Sequence, residues 1–213
     1  SAASDVYKRQ TLKEQAHGEI EKIFRILLPQ NGLSVREEQI TLCHAMLDTL
    51  LKNNIALCDA GVGIGKTYAY LTACILLKKF APHGPAGSQP VVVSTSSVAL
   101  QNAVIGEYIP FLSRIFLENR IIQKPIRAIV RKGKERFVCD VRLKFRLEAV
   151  EGKRKNEEQR KALVSLRNYY DLDDVPDLSQ FDREQVCVPK ACRNDCPIRT
   201  ACRYHQYLRA ARQ

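Results

Sequence analysis

The stretch Asp59-Ala60-Gly61-Val62-Gly63-Ile64-Gly65-Lys66-Thr67 constrains this chain more than any other. It follows the apolar run Ile55-Ala56-Leu57-Cys58 and precedes Tyr68 to Leu77, whose composition reads as a mostly buried helix. Strand, glycine-rich turn, Gly-Lys-Thr and helix together predict a phosphate-binding loop. Glycines let consecutive backbone N–H groups converge on phosphate oxygens, and the helix N-terminus adds partial positive charge. In such a loop Lys66 reaches the β- and γ-phosphates of a nucleotide and the Thr67 hydroxyl sits on Mg²⁺. The strict pattern begins with glycine, whereas this one begins with Ala60. The bland alternative is a chance glycine-rich turn ahead of a helix.

Val91-Val92-Val93-Ser94 reads as a second short buried strand, followed by a helix from Ser97 to about Glu107. Arg127-Ala128-Ile129-Val130 is a plausible third strand. Strands alternating with helices imply an α/β fold with a parallel, doubly wound sheet. Ahead of the loop, Leu12, Ala16, Ile20, Ile23, Phe24 and Leu27 recur at helical spacing as far as Pro29. A second helix carries Ile40, Cys43, Leu47, Leu50 and Leu51 on its buried side, with Ser34 and Glu37 forming a capping box. Residues 81–90 are loop by composition. From Phe137 to about Tyr204 the alternation stops, and the stretch reads as a helical, cysteine-bearing insertion. Residues 1–10 look like a non-native leader, and Gln213 falls inside a continuing helix, so both ends suggest a fragment.

The formal net charge of +11 is concentrated. Residues 120–167 hold 16 Lys/Arg against 6 Asp/Glu, whereas residues 171–184 hold 6 Asp/Glu against Arg183 alone. So dense a basic block suggests a polyanion partner, most simply nucleic acid, with a solvated helical face as the alternative. No run approaches the 18 apolar residues of a membrane span, and the N-terminus lacks the apolar core of a secretory signal. A phosphate loop in that setting implies a cytoplasmic protein.

Cys43, Cys58 and Cys74 sit singly in apolar stretches and read as buried packing residues. Cys139, Cys187, Cys192, Cys196 and Cys202 fall in the charged second half. Disulfides are disfavoured inside cells, so clustered thiols point to metal. The spacings x4, x3 and x5 from Cys187 to Cys202 contain no C-x2-C pair of the kind that zinc knuckles use. Irregular spacing with one distant ligand suits a cubane iron–sulfur cluster better. Nearby Lys190, Arg193, Arg199 and Arg203 would offset the anionic thiolates. Two weaker elements complete the set. Gln39, in Arg36-Glu37-Glu38-Gln39, has the amide that suits an adenine edge, though R-x-x-Q is usually only helix surface. Ser94 to Gln101 carries hydroxyls that can bond phosphates of a nucleic-acid strand, or that simply cap a helix.

On these elements the chain resembles the DinG-type, XPD-like iron–sulfur DNA helicases of superfamily 2, over roughly residues 20–213. The family's loop usually reads Glu-Ala-Gly-Thr-Gly-Thr-Gly-Lys-Thr, so the resemblance accounts for Ala60 and leaves Asp59, Val62 and Ile64 as departures. It implies a P-loop RecA-like domain beginning at 11–136, an iron–sulfur insertion at 137–204 and a return into the first domain at 205–213. ATP would lie against Arg36, Gln39 and Ala60 to Tyr68, with Lys66 and Thr67 as the catalytic pair at phosphates and Mg²⁺. A 4Fe-4S cluster would take Cys139, Cys192, Cys196 and Cys202, with Cys187 a fifth thiol that competes for a place. Thr95 and Gln101 would lie near DNA, and the basic block would flank a single-stranded path. The implied partners are single-stranded DNA and forked DNA or an RNA–DNA hybrid, handled by a monomer in DNA repair or replication. No Asp-Glu-x-His motif occurs, and the family places that motif and the second motor domain downstream of the cluster. The loss of the arginine finger alone is worth about 10³–10⁵ in rate. The implied parent is an ATP-driven helicase, and this chain alone should hydrolyse almost nothing. Two competitors are a zinc-stabilised nucleic-acid-binding P-loop module and, ranked last for want of an acidic nuclease motif, a P-loop nuclease subunit.

Overall fold

The computed structural model describes residues 2–151, 157–192 and 195–212, with the backbone alone for 2–10. Lys153, Arg154 and Lys155 of the basic block, and Arg193 beside the cysteines, lie outside the described residues. The chain divides into two compact units after Ala128.

In the first unit, helix α1 (Ala2–Lys22) passes through a π-helical turn at Ile23–Leu27 into α2 (Leu28–Gln30). Ala16, Ile20, Ile23, Phe24 and Leu27 are buried as their spacing predicts, while Leu12 is exposed. The Leu28 N–H bonds the Ile23 carbonyl five residues back. That wider turn lets Leu28 follow Ile23 into the core instead of rotating away from it. Gly32, at φ 91°, closes the helix, and the Leu33 N–H returns to the Leu28 carbonyl.

Helix α3 (Glu37–Leu51) buries Ile40, Leu42, Cys43 and Leu47 against α4 (Lys66–Phe80), which contributes Ala69, Leu71, Ala73, Leu76 and Leu77. The expected Ser34–Glu37 capping box is absent, and α3 starts from Arg36 without a side-chain cap. Glu37 is engaged elsewhere: its two oxygens accept from the Arg25 guanidinium at 2.6 and 2.9 Å. Beyond the loop, α5 (Val98–Ala103) runs through a second π turn, Val104–Tyr108, into α6 (Ile109–Glu118). This helix continues past the expected end near Glu107 because Leu112, Ile115 and Phe116 find full burial in the same core.

The expected RecA-like parallel sheet is not there: among the described residues the protein is helical and forms no strand. Residues 55–58, 91–94 and 127–130 all lie outside regular structure. Ile55 is 96% exposed, Leu57 fully so and Val92 82%. Cys58, expected to pack inside, is exposed for the same reason, whereas Cys43 is buried and Cys74 half-buried. A parallel strand needs backbone partners and a cover on both faces. These runs have the composition of buried strands but pair with no strand among the described residues, and helix faces supply most of the first unit's core.

In the second unit, helices α7 (Asp140–Val150), α8 (Glu157–Ser165), α9 (Gln180–Val186) and α10 (Arg203–Ala210) surround two small cores. Leu143, Leu163, Leu166, Leu172 and Val186 form one, and Phe137, Val188 and Tyr207 the other. The segment 137–139 is held on both sides by isolated antiparallel bridges, Phe137 to Asp171 and Val138 to Cys187. No described helix is long and apolar enough to cross a membrane.

Candidate functional site

The glycine loop is built by backbone conformation first. Gly63 and Gly65 sit at φ 84° and 80°, a region costly for any residue with a Cβ. Gly65 is the N-cap of α4, so Lys66 and Thr67 open that helix, where its free N–H groups and partial positive charge emerge. The Lys66 ammonium turns back over the loop and donates to the carbonyls of Ala60 (2.8 Å) and Gly61 (3.2 Å). Val62 is fully exposed, while Ala60 and Ile64 are half-buried against the first unit's core. Tyr68 packs edge-on to Tyr108 with centroids 4.9 Å apart, and burial raises its phenol pKa.

Gln39 is brought to this loop from 26 residues away. Its side-chain amide donates to the Gly65 carbonyl at 2.9 Å, and the residue is buried. The fit is tight: a Cβ on Gly65 would stand 2.1 Å from Gln39 Nε2. Arg36 remains on the exposed N-terminal edge of α3. Thr95 and Gln101 also meet, since the Gln101 amide donates to the Thr95 carbonyl at 3.1 Å. Between them Ser97 caps α5 by accepting from Leu100 N–H at 3.2 Å, and Thr95 Oγ1 accepts from Ser97 N–H at 3.1 Å. These hydroxyls organise the start of α5.

Four of the five second-unit thiols gather. Cys139 and Cys192 pack against the Phe137–Val188–Tyr207 core, and Cys202 is buried. Burial raises the Cys192 thiol pKa, and proximity of the Cys139, Cys202 and Cys196 sulfurs raises it further. Cys139 and Cys202 occupy N-caps, of α7 and α10. The residue after each joins the two helices: Arg203 meets Asp140 at 2.7 Å (Nε to Oδ1) and 2.6 Å (Nη2 to Oδ1), and its backbone N–H donates to Oδ2 at 3.0 Å. A second arm of Arg203 donates to the Leu166 carbonyl at 2.8 Å. This clamp sets the distant Cys139 beside Cys202. Its only sequence signal is a charged residue of opposite sign directly after each cysteine.

Cys187 faces elsewhere. Its sulfur lies 3.7 Å from an Arg142 nitrogen and approaches the Glu184 carbonyl. His205, which sequence reasoning did not single out, places Nε2 3.7 Å from the Cys192 sulfur. Burial lowers its pKa, helped by Arg199 and Arg209. Among the described residues no group of three or more His, Cys, Asp or Glu side chains is close enough to hold a single metal ion. Sulfurs at two helix N-termini, beside Lys134 and against an aromatic wall of Phe137, Tyr204 and Tyr207, fit the chemistry of a shared metal cluster, which would bind them as thiolates.

The basic block is partly neutralised from within. Lys132 meets Asp171 at 2.6 Å and Asp173 at 3.0 Å, and Arg136 meets Asp173 at 3.0 Å. Arg146 meets the buried Asp182 at 2.7 Å and lies over the Phe181 ring. The acidic stretch 171–184 is thus the partner of several cations that the composition offered to a polyanion.

No protein-family model matches the chain. No solved structure matches it either. Among curated proteins it is 29% identical over 119 residues to a protein of Bacillus subtilis (strain 168) named 3'-5' exonuclease DinG, which covers 56% of this chain and 11% of that protein. It is 25% identical over 122 residues to the protein of the same name from Staphylococcus aureus (strain USA300), covering 57% of this chain and 12% of the relative. The chain therefore spans about an eighth or less of the length of these relatives. Over that stretch the chain is similar to these DinG-named proteins.

Proposed function

We propose that the chain is the nucleotide-gripping and cysteine-bearing part of a DinG-type enzyme that acts on DNA, with ATP hydrolysis driving movement along a single strand and unwinding of duplex. The loop carries this reading. Two left-handed glycines, a lysine at the first position of α4 and a glutamine pinned to the loop backbone form a nest for phosphate oxygens. Bound ATP would lie along Ala60 to Tyr68 with Gln39 and Arg36 at its base, and Mg²⁺ would meet Thr67 and neutralise charge on the phosphates. On binding, Lys66 would exchange two carbonyl oxygens for phosphate oxygens, a stronger, charge-assisted pairing. Because the sequence contains no Asp-Glu-x-His element, this chain alone grips nucleotide and hydrolyses almost none.

Cys139, Cys192, Cys196 and Cys202 would hold a 4Fe-4S cluster whose role is to fix α7 and α10 together. The thiol grouping around Cys192 supports that set, and the separate hydrogen bonds of Cys187 support leaving it out. The test is direct. Lys66→Ala should abolish nucleotide binding while the iron content stays intact, and iron should be lost from Cys192→Ser but not from Cys187→Ser. A colourless protein with stoichiometric zinc after anaerobic purification would instead favour the zinc-stabilised module. The relatives' printed name supplies a second reading, a 3'-5' exonuclease. Assays of the full-length parent separate the two: Lys66→Ala should stop ATP-driven unwinding and leave nucleotide-independent exonuclease action untouched.

A further inference from the structure

Away from the loop and the cysteines, helices α1 and α3 face one another with matched pairs at i,i+4 spacing, His17 with Glu21 and His44 with Asp48. The pairs cross: His17 Nε2 lies 2.7 Å from Asp48 Oδ1, and His44 Nε2 lies 2.7 Å from Glu21 Oε1. The imidazoles stack with centroids 4.8 Å apart and planes 22° from parallel. Their Nδ1 atoms are 2.5 Å apart.

Protonation logic makes this contact informative. An ionised carboxylate only accepts hydrogen bonds. Each carboxylate also has a cation beside it, Arg25 at Glu21 and Lys13 at Asp48. Both Nε2 atoms therefore carry protons, and in neutral rings both Nδ1 atoms present lone pairs to each other. Two lone pairs at that distance repel unless a cation lies between them. Histidines whose far N–H is held by a carboxylate have the orientation and tautomer of metal-ligating histidines. We infer that His17 and His44 form a two-imidazole site for a borderline divalent ion such as Zn²⁺, linking α1 to α3, with water in the remaining positions. With Zn–N bonds of about 2.0–2.1 Å and tetrahedral angles, the two nitrogens must part by about 1 Å. The rings are partly exposed, 22% and 27% by side chain, so a small rotation of each supplies that. The other charged groups at the site are Lys13, 3.0 Å from Asp48, and Arg25 on Glu21.

Imidazole ¹⁵N spectra of the full chain during Zn²⁺ titration test the inference and distinguish this site from the thiols. Both Nδ1 resonances should move to the metal-bound range while both Nε2 atoms stay protonated. His17→Gln and His44→Gln should each weaken this binding at least tenfold and leave the thiol-bound metal unchanged. A single proton shared between the rings, persisting at saturating Zn²⁺ with Nδ1 resonances unmoved, would overturn it. The wild-type spectra decide the matter even if a variant folds poorly.

Discussion

Replacing Arg203 by Met tests how the second unit is assembled. The Arg203 side chain makes one charge-assisted hydrogen bond to Asp140, a second ion-pair contact with the same oxygen at 2.6 Å, and a hydrogen bond to the Leu166 carbonyl. Bonds to charged groups contribute about 1.5–3 kcal/mol each. The side chains are 25% and 23% exposed, so solvent screening removes part of this, and the Arg203 backbone N–H still serves Asp140 in the variant. A net loss of about 2–3 kcal/mol follows, close to the lower bound for breaking a buried pair. For a unit of this size each kcal/mol shifts Tm by about 4–8 °C, so the second unit should melt roughly 10–20 °C earlier. Helix circular dichroism in a thermal or urea scan of the full chain reads this, and amide exchange in α7 and α10 assigns it. Metal content should fall with it, because the clamp sets Cys139 beside Cys202. Arg203→Met with an unchanged Tm and full metal retention would refute the clamp.

Gly65→Ala should cost at least about 1–3 kcal/mol from the left-handed backbone alone and should displace Gln39, so urea stability and nucleotide affinity fall together. Among the described residues, Arg146→Met leaves the buried Asp182 with Ser179 as its side-chain partner and should destabilise the second unit by about 3 kcal/mol, whereas Lys144→Met should change stability by less than about 0.5 kcal/mol. Asp173 gives an acid dependence. Burial alone would raise its pKa, but Lys132 and Arg136 bring the carboxyl below 3.8. Its contribution to stability is therefore complete above that value and lost as pH falls through the lower folded value, so acid unfolding of Asp173→Asn should be flatter there than wild type.

Helix periodicity was the most legible layer. Ala16, Ile20, Ile23, Phe24 and Leu27 all reach the core, because a 3.6-residue period needs no distant partner to reveal it. Strands do not have that independence. Val91-Val92-Val93 has a strand's composition, but whether it pairs depends on other segments, and among the described residues none forms a strand beside it. Gln39 was readable as a candidate only by motif, and its hold on Gly65 comes from how α3 packs on α4. The cysteines were visible by spacing, while the Asp140–Arg203 clamp spans 63 positions and leaves only a charged residue after each of two cysteines. The same blindness applied to charge: summing residues 120–167 could not show that 171–184 folds back onto them.

That folding back changes the accounting for any nucleic acid at the second unit. Each phosphate arriving at Lys132 or Arg136 would evict a carboxylate of Asp171 or Asp173 instead of a mobile counterion. Counterion release sets how steeply affinity falls with salt. Binding there would therefore show a shallower salt slope than the 13 basic residues of 129–167 suggest, and cutting the acidic stretch away would steepen it.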